Sequence, residues 1–131
     1  MPSVFTRIID GELPGRIVYS DEYTAALLTI APIRPGHTLV VPRVEIDRWT
    51  DLPDDVQARV WATAATVGRA IARAYEPQRV AVIVAGLEVP HAHVHLLPIE
   101  NESQLDFALA DPNPDPTDLD AAAERIRAAL A

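Results

Sequence analysis

The 131-residue sequence contains no cysteine. That absence removes disulfides, thiolate zinc sites and cysteine nucleophiles, and it agrees with a reducing, cytoplasmic setting, the expected location. Lysine is missing as well, so all 11 basic residues are arginines. None of them falls between Glu100 and Glu124, where eight acidic side chains lie. The other 11 acids balance the 11 arginines, so the net charge of −8 belongs to one late segment. Polymeric nucleic acid is held mainly through its phosphates and requires a basic stripe. No such stripe is present, so DNA and RNA polymers are not expected partners, whereas the charge leaves room for a single nucleotide held by a few groups. No run reaches the roughly 20 apolar residues of a membrane span. The opening MPSVFTRIIDGELPG lacks a basic start followed by an apolar run, so neither a secretory signal nor a membrane partner is expected. G-x-S-x-G and Walker sequences are also missing, which leaves no other nucleophile or phosphate motif in view.

What is present suffices for a core, since 49% of the residues are hydrophobic. The length fits one domain over residues 1–131, with a core over about 4–99 and an acidic, proline-containing extension over 100–131. Residues 4–9 (VFTRII) form a short apolar opening before the turn-rich DGELPG. Arg16–Ser20 and Tyr23–Ile30 read as a hairpin about the turn signal Ser20-Asp21-Glu22. Pro35-Gly36 suits a type II turn, and His37–Val41 reads as a strand stopped by Pro42. One long helix opens at Asp51 or Pro53 and ends at Pro77. Val56, Val60, Val67 and Ile71 recur along it at helical spacing, with Trp61, Ala64 and Tyr75 widening the stripe. Arg79–Ala85 reads as a buried strand and His91–Pro98 as another. The stretch 100–118 reads as a solvated connection with a helical turn near Gln104–Leu109. Asp118 or Asp120 is expected to cap a last helix, Ala121–Leu130. The pattern predicts an α+β fold: an antiparallel sheet of about five strands, one long helix and a C-terminal helix.

Three of the four histidines fall within five residues, His91-Ala92-His93-Val94-His95. In an extended strand they line one face, roughly 6.6–7 Å apart per step, while Ala92, Val94 and Leu96 face a core. Crowded imidazoles repel when charged, so such a row carries a cost and points to a use. Two chemistries fit. Neutral imidazoles bind zinc at about 2.0–2.1 Å. The outer members of an extended trio stand about 13–14 Å apart, so a metal site needs a further ligand such as His37 or Glu88. The second chemistry is at phosphorus. A neutral middle imidazole attacks while its neighbours hold the non-bridging oxygens. Attack needs a lone pair on one ring nitrogen, so the other must give its hydrogen to an acceptor such as a backbone carbonyl. A flanking histidine can supply a proton to the leaving group.

The run His91-Ala92-His93-Val94-His95-Leu96-Leu97 resembles the H-φ-H-φ-H-φ-φ signature of the histidine triad (HIT) nucleotide-binding superfamily. The likeness extends to Phe5, Ile8-Ile9-Asp10-Gly11-Glu12-Leu13-Pro14, Tyr19-Ser20-Asp21 and Ala31–Pro42, and so covers about residues 4–99. The resemblance implies that His93 is a nucleophile forming a transient nucleotidyl-histidine that water hydrolyses. It implies that His91 and His95 orient that ring and bind phosphate, and that His37 supports the triad. Phe5, Ile8, Leu27 and Ile30 match an apolar slot for the base. The implied assembly is a two-fold homodimer whose sheets join, with the Val56–Ile71 stripe partly serving the contact. Nucleotide phosphoramidates, dinucleoside polyphosphates and related compounds are the implied substrates, and no cofactor is required.

The chain departs from the family where the substrate is gripped. Thr29 stands where an Asp often holds ribose hydroxyls, and its single neutral oxygen cannot grip both hydroxyls as the two oxygens of a carboxylate can. Ile83 falls near a position often held by Asn, Leu87 takes that of a Gln, and the loop before His91 is about three residues short. Glu88 lies near the phosphate position. Two other readings stand beside the hydrolase or nucleotidyl transferase: a nucleotide-binding or interaction module with little catalysis, and a histidine metal site.

Overall fold

The computed structural model describes residues 2–131. Strand β1 (Ile17–Ser20) turns back into β2 (Thr24–Leu28) through Asp21, whose carboxylate accepts the backbone N–H groups of Tyr23 and Thr24, both at 2.8 Å. A short polar side chain that mimics backbone makes this turn cheap. The turn into β3 (Thr38–Pro42) is the expected type II, with His37 N–H donating to the Arg34 carbonyl and Gly36 at φ +90°. Glycine is required there twice over, because a Cβ would also meet the Tyr75 ring at 2.7 Å. Strands β4 (Arg79–Ile83) and β5 (Val94–Ile99) complete a five-stranded antiparallel sheet in the order β1-β2-β3-β5-β4.

Helix α2 (Asp54–Tyr75) lies across one face of that sheet. Asp54 and Asp55 sit in its first turn, where carboxylates complement the helix dipole, and Glu76 closes it in a left-handed conformation before Pro77. It buries Val60, Thr63, Ala64, Val67, Ala70 and Ile71 against Ala26, Leu28, Val40, Val94 and Leu96. Each fully buried Val or Ile contributes about 1.5–3 kcal/mol. The opposite face carries Ala25, Leu27, Leu39 and Val41, covered by Phe5, and a separate cluster of Ile33, Leu97 and Ile99. The histidines lie on this second face.

Several expectations are corrected. Residues 4–9 are a helix, α1 (Val4–Ile9), capped by the Ser3 hydroxyl on Thr6 N–H. The Arg79–Ala85 segment is not buried, since β4 is an edge strand and Val82 is 46% exposed. In the Val56–Ile71 stripe, Val60, Val67 and Ile71 are buried in the protein's own core and Val56 packs against it, while Trp61 lies off the stripe, exposed. The final helix, α3, begins earlier than expected, at Pro116 behind the Asp115 cap, and runs to Leu130. Its Leu119, Ala122, Ala123 and Ile126 join the α2 core. The 100–118 stretch contains two short 3-10 turns, Glu102–Gln104 and Phe107–Leu109, near the expected helical turn.

Candidate active site

Strand β5 begins at Val94, so His91 and His93 precede it rather than lie within it. Pro90 offers no N–H to a ladder. His91 N–H turns back to the Val89 carbonyl, and Ala92 N–H bonds the Ile46 carbonyl instead of β3. The His93 and His95 ring centroids lie 4.9 Å apart. The Phe5 ring meets His91 and His93 edge-on at 5.7 and 5.0 Å, so the three imidazoles still share one side.

Hydrogen bonding assigns a proton to each neutral ring. The His93 Nδ1–H donates to the His91 carbonyl at 2.8 Å, leaving a lone pair on Nε2. Ile33 N–H donates to His37 Nδ1 at 3.1 Å, so His37 carries its hydrogen on Nε2. That hydrogen goes to His95 Nδ1, 2.9 Å away, which places the His95 hydrogen on its own Nε2. Neither His93 Nε2 nor His95 Nε2 has a partner among the described residues, and neither is sealed from solvent. A lone pair and an N–H therefore stand side by side. Burial keeps this relay neutral: it lowers His37 to about 4 and, with help from the neighbouring His37 and His93, His95 to about 3.

His91 differs from the expectation. Its ring is wholly buried, with Nε2–H donating to the Pro42 carbonyl at 2.7 Å and Nδ1 2.6 Å from the Ser3 hydroxyl. Both nitrogens are committed to protein, so the ring offers phosphate nothing, and it is the backbone of His91 that orients His93. Burial lowers its pKa, opposed by the Pro42 carbonyl and the Glu45 carboxylate.

His93 borders a cleft of about 480 Å³ whose other walls include Arg48, Trp49, Thr50, Leu87 and Glu88. Leu87 is 93% exposed and Glu88 is exposed, so the loop that differs from the family presents itself to solvent. Phe5, Leu27 and the partly buried Ile8 form one apolar cluster beside the triad. Ile30 does not join them. It is 77% exposed, because Thr29 and Ile30 lie past the end of β2. The Thr29 hydroxyl accepts from Ala31 N–H at 3.3 Å. No group of three or more His, Asp or Glu side chains among the described residues is arranged to hold a metal ion.

Four residues escaped the sequence reading. Ser3 was legible only as a helix cap three places before Thr6. Phe107, whose ring meets His95 edge-on at 5.0 Å, was visible as a lone aromatic in an acidic stretch. Arg48 and Trp49, on the β3–α2 connection, carried no local signal.

Comparison with known proteins agrees with this geometry. The HIT domain family matches residues 10–102. An uncharacterised HIT-like protein of Methanocaldococcus jannaschii is 37% identical over 99 residues, 72% of this chain and 77% of that one. A bifunctional bis(5'-adenosyl)-triphosphatase/adenylylsulfatase of Arabidopsis thaliana is 32% identical over 90 residues, 65% of this chain and 50% of that protein. The crystal structure of a Hit-like protein from Bartonella henselae superposes with a TM-score of 0.86 at 25% identity, covering 97% of this chain and 95% of the other. The family match over residues 10–102, together with a 37% identical relative covered over 77% of its length, shows that the chain belongs to the HIT family.

Proposed function

We propose that this protein is a nucleotide-binding hydrolase or nucleotidyl transferase that acts at phosphorus through a nucleotidyl-His93 intermediate. Nucleotide phosphoramidates, dinucleoside polyphosphates and related compounds are its substrate class. The observation that carries the reading is the His93 Nδ1–H bond to the His91 carbonyl, which leaves Nε2 as a free lone pair beside an open cleft. The named activity of the Arabidopsis relative supports an attack at a nucleotidyl phosphorus.

In the first step Nε2 of His93 bonds to phosphorus, the bond to the leaving group breaks, and the electron pair departs with that group, which takes a proton from water. The His93 ring then bears positive charge, and its Nδ1–H bond to the His91 carbonyl strengthens, since charge-assisted hydrogen bonds are roughly twice as strong as neutral ones. His95 Nε2–H donates to a non-bridging oxygen as charge builds there. In the second step water, or another acceptor hydroxyl, attacks phosphorus, loses its proton to solvent, and the P–N pair returns to Nε2. His95 acts as a hydrogen-bond donor throughout, because losing its proton would leave an imidazolate. Phe5, Ile8 and Leu27 face the apolar part of the substrate. Arg48 supplies positive charge to a cleft whose loop carries Glu88. No step requires a cofactor.

The reading includes a two-fold homodimer joined along the free edge of β4. Mass spectrometry after incubation with mixed adenylyl and guanylyl substrates tests the chemistry. A nucleotidyl mass increment on the peptide bearing His93 is expected, and His93→Ala should lose both the adduct and turnover. Wild-type turnover in His93→Ala would end the mechanism, and binding without turnover across the panel would mark a binding module instead.

A further inference from the structure

Ser3 lies 88 positions from His91 in sequence, yet its hydroxyl meets a ring that is 0% exposed. The His91 Nε2 faces the Pro42 carbonyl, which only accepts, so the hydrogen of the neutral ring sits on Nε2. Nδ1 then holds a lone pair, and a buried lone pair without a donor is destabilising because it has given up its bond to water. Among the described residues the only group at that nitrogen is Ser3 Oγ at 2.6 Å, whose hydrogen must point to it. The same oxygen accepts Thr6 N–H at 3.1 Å and so caps α1. Donor and acceptor capacities of one hydroxyl are thus used on two different segments. The backbone N–H of Ser3 is anchored too, on Glu45 Oε1 beyond β3. Two residues further on, Phe5 touches His91 and His93.

We propose that Ser3 is a positioning residue for the triad: by giving its hydroxyl hydrogen to His91 Nδ1 it locks that imidazole in the Nε2–H tautomer, and thereby holds steady the His91 carbonyl on which His93 is oriented. A helix cap needs only an acceptor, which Asp or Asn also provides. The lock needs a donor as well. Cap and lock are therefore separable by substitution. The ionisable groups that face His91 are Glu45 and His93.

The experiment is imidazole ¹⁵N NMR of the full-length chain, with kinetics alongside. In the wild type His91 should show a protonated Nε2 and a bare Nδ1. Ser3→Thr keeps cap and donor and should reproduce that pattern. Ser3→Asp keeps the cap but replaces the donor with an acceptor, so both His91 nitrogens should become protonated near neutral pH while thermal stability stays close to wild type. Ser3→Ala should lose the single tautomer. The kinetic arm rests on the reaction proposed above: kcat should fall roughly tenfold in Ser3→Asp and Ser3→Ala with KM little changed, and recover in Ser3→Thr, tenfold being about 1.4 kcal/mol. An unaltered His91 tautomer in both Ser3→Asp and Ser3→Ala would overturn the proposal and leave Ser3 a helix cap. The NMR arm needs no substrate, so the lock can stand or fall separately from the nucleotidyl chemistry.

Discussion

At the scale of single residues the protein is governed by where four imidazoles keep their hydrogens. Each ring nitrogen that faces protein is matched to one donor or one acceptor, and the two left over, on His93 and His95, are the ones the proposed reaction uses. The arrangement has a consequence for stability. Burial holds His37 at about 4 and His95 at about 3, against an ordinary value of 6.5. As the pH falls below 6.5 the unfolded chain takes up protons at these positions and the folded chain does not. Their contribution is therefore whole above about pH 6.5 and is lost progressively as pH drops toward 4 and then 3. The slope approaches roughly 1.4 kcal/mol per pH unit for each histidine. Urea unfolding at about pH 7.5 and about pH 5 should show the lower midpoint at pH 5. A His37→Phe variant, unable to titrate there, should show a smaller drop, and an equal drop would refute the assignment.

At the scale of elements, the long helix and the hairpin follow from spacing and turn chemistry, while the two ends of the chain show what spacing leaves out. Helix α3 carries an alanine-rich sequence with a weak stripe, yet Ile126 is 0% exposed and packs with α2 and the sheet. Ile126→Ala should cost about 2–5 kcal/mol, the range for emptying a closed core site. Unfolding in denaturant measures it. A loss below about 0.5 kcal/mol, usual for surface positions, would mean that α3 is a loosely held appendage. Between the core helices and the sheet, the buried hydroxyl pair Thr24–Thr63 at 2.7 Å shows how a polar contact is kept inside an apolar layer when both partners are satisfied.

At the scale of the whole molecule, one edge of the sheet is open. Among the described residues strand β4 has no strand neighbour on its outer side, and it carries an exposed Val82, a combination that native sheets usually cover or charge. The proposed dimer covers it. Sedimentation should give about twice the 14.3 kDa chain mass for the wild type and the single chain mass for Val82→Asp, which puts a charge on each copy of the edge strand that the proposed dimer joins. A wild type that sediments as one chain at micromolar concentration would reject the dimer. No helix among the described residues is long and apolar enough to cross a membrane. The acidic late segment does not stand apart from the site, since Phe107 reaches His95 from within it.

The amino-acid order alone determined the helical stripe of α2, the Pro35-Gly36 turn, the strand-rich remainder and the crowding of three histidines, because each depends on dihedral preference or spacing over a few neighbouring residues. It also determined that a reactive His93 would need a carbonyl for its second nitrogen, as the molecule shows. Only the tertiary structure decided that β4 lies at the edge, that Ile30 points to water, and that α1 forms, six residues being too few to show a helical period. The same holds for His91. Its ring is turned from the cleft by Ser3 and Pro42, partners 88 and 49 positions away. Which donor a buried nitrogen finds is settled by the segments that pack around it, and local sequence carries no record of those neighbours.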